Sequence, residues 1–154
     1  MIEMTQLQGL SYGKAHLFGL PHLGCEYTNY DTGKYRITTD HCVICGRWFP
    51  LNAHHVVPRS VRKEFHIGDH MVRSPLACLC GSGTQGCHGM FHGGARFSLS
   101  WEWYEEEYED MWWSGELLDR HGPHSPELFG LGRYVVHDRK FGRDWPITSP
   151  CPRT

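Results

Sequence analysis

The sequence predicts an α+β domain: a small zinc-stapled core of short strands and one short helix, with a longer helix added C-terminally. Three observations carry this. Four cysteines arrive as two pairs, Cys42/Cys45 and Cys80/Cys87, the donor set of a closed tetrahedral zinc site. The segment between the pairs that carries His54 and His55 is short and β-branched, which reads as a strand. From residue 101 to 113, Trp101, Tyr104, Tyr108, Met111 and Trp112 recur at spacings of three and four, the stripe of an amphipathic helix.

At 154 residues the chain has the length of one domain. It divides into an N-terminal extension packing on the core (1–41), the stapled core (42–96), and a C-terminal helix and tail (97–154). A core of about 50 to 60 residues is marginal without a metal or disulfide staple. No stretch approaches the roughly 20 apolar residues that span a membrane, and the start lacks the basic-then-apolar pattern of a signal peptide, so no membrane partner is expected. The seven cysteines read better as metal thiolates in a reducing compartment than as secreted disulfides, given their spacing and neighbouring histidines.

In chain order, residues 1–41 alternate short apolar pieces with Gly, Pro and Asn, and 34–39 reads as a short extended lead-in. Residues 42–46 form a knuckle in which Gly46 relieves crowding. Residues 51–58 are a strand ending at Pro58, residues 59–74 a loop, and 75–79 a short helix or turn delivering the second cysteine pair. Gly81, Gly83 and Gly86 make a tight detour between Cys80 and Cys87; without a following Gly-Lys-Ser/Thr this is no phosphate loop. A helix over 87–92 places His88 and His92 one turn apart on one face. Ser98 or Ser100 caps the 101–113 helix, whose aromatic stripe packs on the core or serves self-association, with Glu102, Glu105, Glu106 and Glu109 on the other side. Residues 132–137 form a last strand, and the tail from Lys140, with Pro146, Pro150 and Pro152, is loosely ordered.

The net charge of -2 predicts weak non-specific affinity for nucleic acid. It is unevenly spread: Arg47, Arg59, Arg62, Lys63, Arg73 and Arg96 face only Glu64 and Asp69 within 42–96, whereas 101–120 is strongly acidic. A local basic face contacts phosphates whatever the total, since attraction acts over about 8 to 10 Å. Arg59, Arg62, Lys63 and Arg73 are the candidates for DNA phosphate contacts.

Cys42, Cys45, Cys80 and Cys87 are the candidate structural zinc ligands. Cys78, two residues before Cys80, competes for a place; Cys25 and Cys151 read as free thiols. Of the 12 histidines, His54, His55, His88 and His92 lie among the cysteines. Adjacent residues on a strand point to opposite faces, which suits a division of labour: one imidazole binds a divalent ion and the other takes a proton from water, its pKa lying near operating pH. His66, His70, His121, His124 and His137 read as surface residues.

The span Cys42-Val-Ile-Cys45, His54-His55-Val-Val-Pro-Arg-Ser60, Leu76-Ala-Cys-Leu-Cys80 and Gly86-Cys87-His88 resembles the HNH endonuclease family. Its stretch from Leu79 to Gly89 looks like members found in bacteriophages and mobile elements. The resemblance covers about a third of the chain. It implies a ββα-metal, treble-clef-like fold, with His55 as general base and His54 and His88 as ligands of a catalytic ion. Some members, such as the nuclease domains of bacterial toxins, add a ligand one turn later, matching His92. The chain departs from the family at an Asn that helps fix the base: that position reads Pro75, preceded by Ser74. Ser74, Asp69 or His70 are the available substitutes, and Asn52 lies near enough to brace the strand.

The implied activity is metal-dependent hydrolysis of DNA to 5′-phosphate and 3′-hydroxyl ends, with structural Zn²⁺ and a catalytic Mg²⁺, Mn²⁺ or similar ion. The implied setting is the bacterial cytoplasm, with phage packaging proteins as candidate partners or gene mobility as the role. The readings against it are a catalytically inactive zinc-stapled DNA- or protein-binding module, an RNA nuclease, and a hydrolase of a small substrate.

Overall fold

The computed structural model describes residues 10–82, 84–92 and 96–151. Gly83 and Pro152, singled out above, lie outside them. The architecture is α+β, with several small antiparallel sheets and short helices.

A single turn of helix, α1 (Tyr12–Ala15), precedes the hairpin of β1 (Cys25–Asn29) and β2 (Lys34–Ile37). After the knuckle comes β3 (Leu51–His55), then a hairpin of β4 (Glu64–Ile67) and β5 (His70–Arg73), then β6 (Leu76–Cys80) and α2 (Gly86–Phe91). β3 and β6 pair antiparallel from Leu51 opposite Cys80 to His55 opposite Leu76. Every residue of β6 is buried, because Leu23 closes its other edge: Leu23 N–H donates to Leu76 O at 2.8 Å and Cys78 N–H to Leu23 O at 2.7 Å. The fully apolar run 76–79 is thus a strand covered on both sides, not the helix or turn expected. The expected loop 59–74 contains the β4–β5 hairpin, whose Phe65, Ile67 and Val72 alternate inward around a turn at Gly68 (φ +59°).

The C-terminal part corrects the longest element expected. Phe97, Leu99 and Trp101 alternate inward along β7 (Phe97–Trp103), and the helix α3 begins only at Glu106 (Glu106–Trp113). Ser98 and Ser100, expected as caps, sit in β7, where Ser100 Oγ meets His137 Nε2 at 2.7 Å. Period two governs 97–103 and a helical period takes over after it, so a window opened at residue 101 mixes them. Glu106, Glu107 and Glu109 occupy the first turn of α3, where carboxylates suit the helix dipole. Trp101 and Trp112, in the stripe read as either core or partner surface, are both buried in the chain's own core.

α4 (Glu116–His121), a 3-10 turn (Pro126–Gly130), β8 (Gly132–Asp138) and β9 (Arg143–Ile147) follow. The tail expected to be loose supplies β9, an edge strand beside β8. Pro146 is accommodated because an edge strand need not donate on both sides. One buried cluster, with Phe18, Leu79, Trp112, Leu128 and Tyr134 at its heart, links the segments from Ala15 to Ile147. His124, expected at the surface, is also buried. Among the described residues, no helix is long and apolar enough to cross a membrane.

Candidate metal centres and a basic cavity

The knuckle is built by its backbone. Cys42 N–H donates to Arg47 O at 2.7 Å, Gly46 N–H to Cys42 O at 2.9 Å, and Gly46 takes φ +82°. Cys80 arrives at the end of β6 and Cys87 in the first turn of α2. The four sulfurs of Cys42, Cys45, Cys80 and Cys87 all lie within 4.8 Å of one another. Cys45 Sγ and Cys80 Sγ are 3.5 Å apart, close to the roughly 3.8 Å edge that zinc–sulfur bonds of about 2.3 Å impose on a tetrahedron. Backbone N–H groups of Ile44 and Cys87 point at Cys42 Sγ (3.4 Å) and Cys80 Sγ (3.5 Å), as suits sulfurs carrying negative charge. Donors, geometry and burial together make this a mainly buried four-cysteine cluster able to coordinate a metal ion, consistent with zinc.

Cys78 stays outside the cluster. It lies two residues back along β6, a displacement of about 6 to 7 Å, and its thiol meets Cys25 instead. The hydrogen bond to Cys78 and burial push the Cys25 thiol well above its ordinary value. The return from Cys80 to Cys87 is a tight turn in which Ser82 N–H donates to Gln85 O at 3.0 Å and Gln85 N–H to Ser82 O at 3.3 Å. Gly86 is required there: its φ is +65°, and a Cβ would lie 2.6 Å from Cys80 O.

His54, at the fourth position of β3, is buried. It faces His88 of α2 and His92 just past its end. Ring centroids stand 5.1 Å (His54–His88), 5.2 Å (His54–His92) and 4.7 Å (His88–His92) apart. His88 Nε2 and His92 Nε2 are 3.0 Å apart, and one ring nitrogen of each of the three lies within 4.8 Å of the others. Burial, then the neighbouring imidazoles, push His54 down to about 3, and burial lowers His88. Neutral imidazoles converging on one point are the state a metal ion takes up. With no carboxylate in the set, the donors suit a transition-series ion better than Mg²⁺.

The next residue, His55, points to the opposite face of β3. It opens on a cavity of about 260 Å³ lined by Arg59, Arg62, Lys63, Arg73, Ser74 and residues of the first hairpin. The structure thus gathers round His55 the four cations singled out from the sequence. Arg73 is partly engaged, donating from Nη2 to Asp31 O at 3.0 Å. Burial and then the positive charges of Arg59 and Arg73 lower the His55 pKa, which keeps its ring free to accept a proton.

Two contributors here, both tyrosines of the first hairpin, were not legible in the sequence. Tyr35 packs edge-on against His55 at 5.5 Å, and Tyr27 Oη donates to Ser74 O at 2.8 Å. Ser74 Oγ accepts from Val57 N–H at 2.8 Å and donates to Pro75 O at 3.0 Å; Val56 N–H donates to Pro75 O at 3.0 Å. The turn after His55 is therefore pinned by Ser74 and Pro75. His70 is engaged elsewhere, 2.6 Å from Asp119, and Asn52 Nδ2 donates to Gly81 O, tying β3 to the loop between Cys80 and Cys87. On the His54 side a larger cavity, about 500 Å³, is lined by His54, His92, Val57, Phe91, Lys14 and Arg139, among others.

The fold and its cysteine cluster define the class: an α+β domain carrying a four-cysteine cluster able to hold a metal ion. No family model, curated protein or solved structure matches the chain.

Proposed function

We propose that this protein is a metal-dependent endonuclease of the HNH type, hydrolysing DNA phosphodiester bonds to 5′-phosphate and 3′-hydroxyl ends. One observation carries the reading: on consecutive residues of β3, His54 joins a three-imidazole cluster while His55 enters a cavity walled by Arg59, Arg62, Lys63 and Arg73. The β3–β6 pair followed by α2 supports a ββα-metal arrangement, with the cysteine cluster as its structural zinc site.

His55 removes a proton from the attacking water; its lowered pKa keeps the acceptor nitrogen available at neutral pH. The arginines and Lys63 hold phosphates of the substrate backbone, which positions the strand without reading its sequence. Ser74, Pro75 and Tyr35 fix where the His55 ring stands. His54, His88 and His92 would hold a catalytic ion, of the Mn²⁺, Co²⁺, Ni²⁺ or Zn²⁺ kind by their donor chemistry. When bound, that ion supplies charge neutralisation at the scissile phosphate and the leaving oxygen.

Nicking of supercoiled plasmid, with each divalent ion in turn, tests the proposal beside His55→Ala with its zinc retained. Ion-dependent nicking that His55→Ala abolishes is the expected result. Duplex binding without cleavage under every ion defeats the nuclease reading and leaves a zinc-stapled DNA-binding module.

A further inference from the structure

We infer that the tip of the β8–β9 hairpin, Arg139-Lys140-Phe141-Gly142-Arg143, is a nucleic-acid arm that grips the backbone of a duplex beside the histidine cluster. The identity of the partner rests on the nuclease reading; the arm itself rests on separate observations.

The first is charge. Arg139, Lys140 and Arg143 stand within five exposed residues, in a chain whose net charge is negative. Among the described residues neither Arg139 nor Lys140 forms an ion pair with a carboxylate. The adjacent acid, Asp144, is engaged by His137 Nδ1 at 2.9 Å.

The second is rigidity. Asp138, buried at the base of the tip, accepts from Lys140 N–H (3.0 Å), Phe141 N–H (3.4 Å), Arg96 Nε (2.9 Å) and Nη2 (2.8 Å), and Arg143 Nη2 (3.3 Å). Its negative charge is consumed by Arg96, Arg143 and the backbone of the turn, while the Arg139 and Lys140 side chains stay outside that network. A tip held in one shape loses little entropy on binding. Phe141, 59% exposed, lies under the guanidinium groups of Arg96 (4.7 Å) and Arg143 (5.4 Å). An apolar ring among cations is a surface suited to sugars, bases and phosphates.

The third is position. Arg139 lines the same cavity as His54 and His92, with Lys14 as a second cation on its wall. A polyanion seated at the histidine cluster therefore runs past the arm. A two-stranded ribbon of this kind fits the major groove, about 12 Å wide.

The experiment is binding of a short labelled duplex, followed by anisotropy over a salt series, in a His55→Ala background that leaves the duplex uncut. Replacing Arg139 and Lys140 together by Ala is expected to lower the slope of log K against log salt by about 1.8, at roughly 0.9 per phosphate contact. Affinity falls equally for unrelated sequences, and the melting temperature is unchanged because both side chains are exposed. An unaltered slope and affinity overturn the arm, even if the wild type nicks plasmid. A lowered slope without nicking by the wild type keeps the arm and removes the nuclease. No duplex binding at any salt overturns the arm and turns the patch toward an acidic protein surface.

Discussion

Ser74 Oγ accepts a 2.8 Å hydrogen bond from the backbone N–H of Val57, two residues beyond His55. Both residues are buried. Ser74→Ala therefore strands a buried donor, at a cost of about 1 to 3 kcal/mol, and frees the turn that sets the His55 ring. Urea unfolding and plasmid nicking should both decline; wild-type stability in the variant would show that water replaces the hydroxyl.

The cysteine cluster predicts a clean split among the thiols. Cys80→Ser should lose the bound zinc and lower the denaturation midpoint, since an ion held only by the folded cluster adds its binding free energy to stability. Cys78→Ala should keep full zinc content, because that thiol faces Cys25. Elemental analysis of the purified variants decides it; zinc loss from Cys78→Ala would mean the wrong sulfur has been assigned.

The three imidazoles predict a second, weaker ion. Cobalt titration followed by its visible absorption should give two sites per chain in the wild type. In His92→Ala the second should weaken by about 10-fold or more, with the cysteine site untouched. A single site in the wild type would remove the catalytic ion from the proposal.

Gly86 cannot be enlarged cheaply. Its left-handed backbone and the close approach of Cys80 O predict that Gly86→Ala costs about 1 to 3 kcal/mol and loosens zinc. Gly130→Ala is the control, since nothing lies within 4 Å of its Cβ position. Equal denaturation midpoints for the two variants would contradict the tight return.

Acid sensitivity follows from one half-buried and one buried imidazole outside the cysteine and histidine clusters. His22 and His124 stack at 4.1 Å. His22 Nδ1 accepts from Leu76 N–H at 2.9 Å, and His124 Nδ1 donates to Leu20 O at 2.8 Å. Burial and its neighbours push His22 down to about 2, and burial pushes His124 down to about 4. Below about pH 6.5 the unfolded chain takes up protons that the folded protein refuses. Stability is thus full above about 6.5 and falls as pH drops toward 4, by about 3 kcal/mol for His124. His124→Asn should flatten the dependence of melting temperature on pH over that window, Asn tolerating the φ of +60° found there. Acid release of any ion from the cysteine cluster affects both proteins alike, so parallel curves would exclude this origin.

What the sequence by itself determined was local. Two cysteines three residues apart need one turn of backbone to meet, and His88 and His92 need one turn of helix; both are legible because neighbours in sequence remain neighbours in space. The His54-His55 strand was legible for the same reason, as was the need for glycine between Cys80 and Cys87. Tertiary structure decided the rest. The β3–β6 register brings Cys80, not Cys78, to the knuckle, and only that pairing with α2 turns His54 toward His88. The first hairpin sets Tyr35 against His55, and the last sets Arg139 on the wall of the cavity that His54 lines, a placement that no local spacing records. The 101–113 misreading has the same root: Trp101 and Trp112 are buried in one core from a strand and a helix respectively, and core packing overrides the helical period that their spacing suggests.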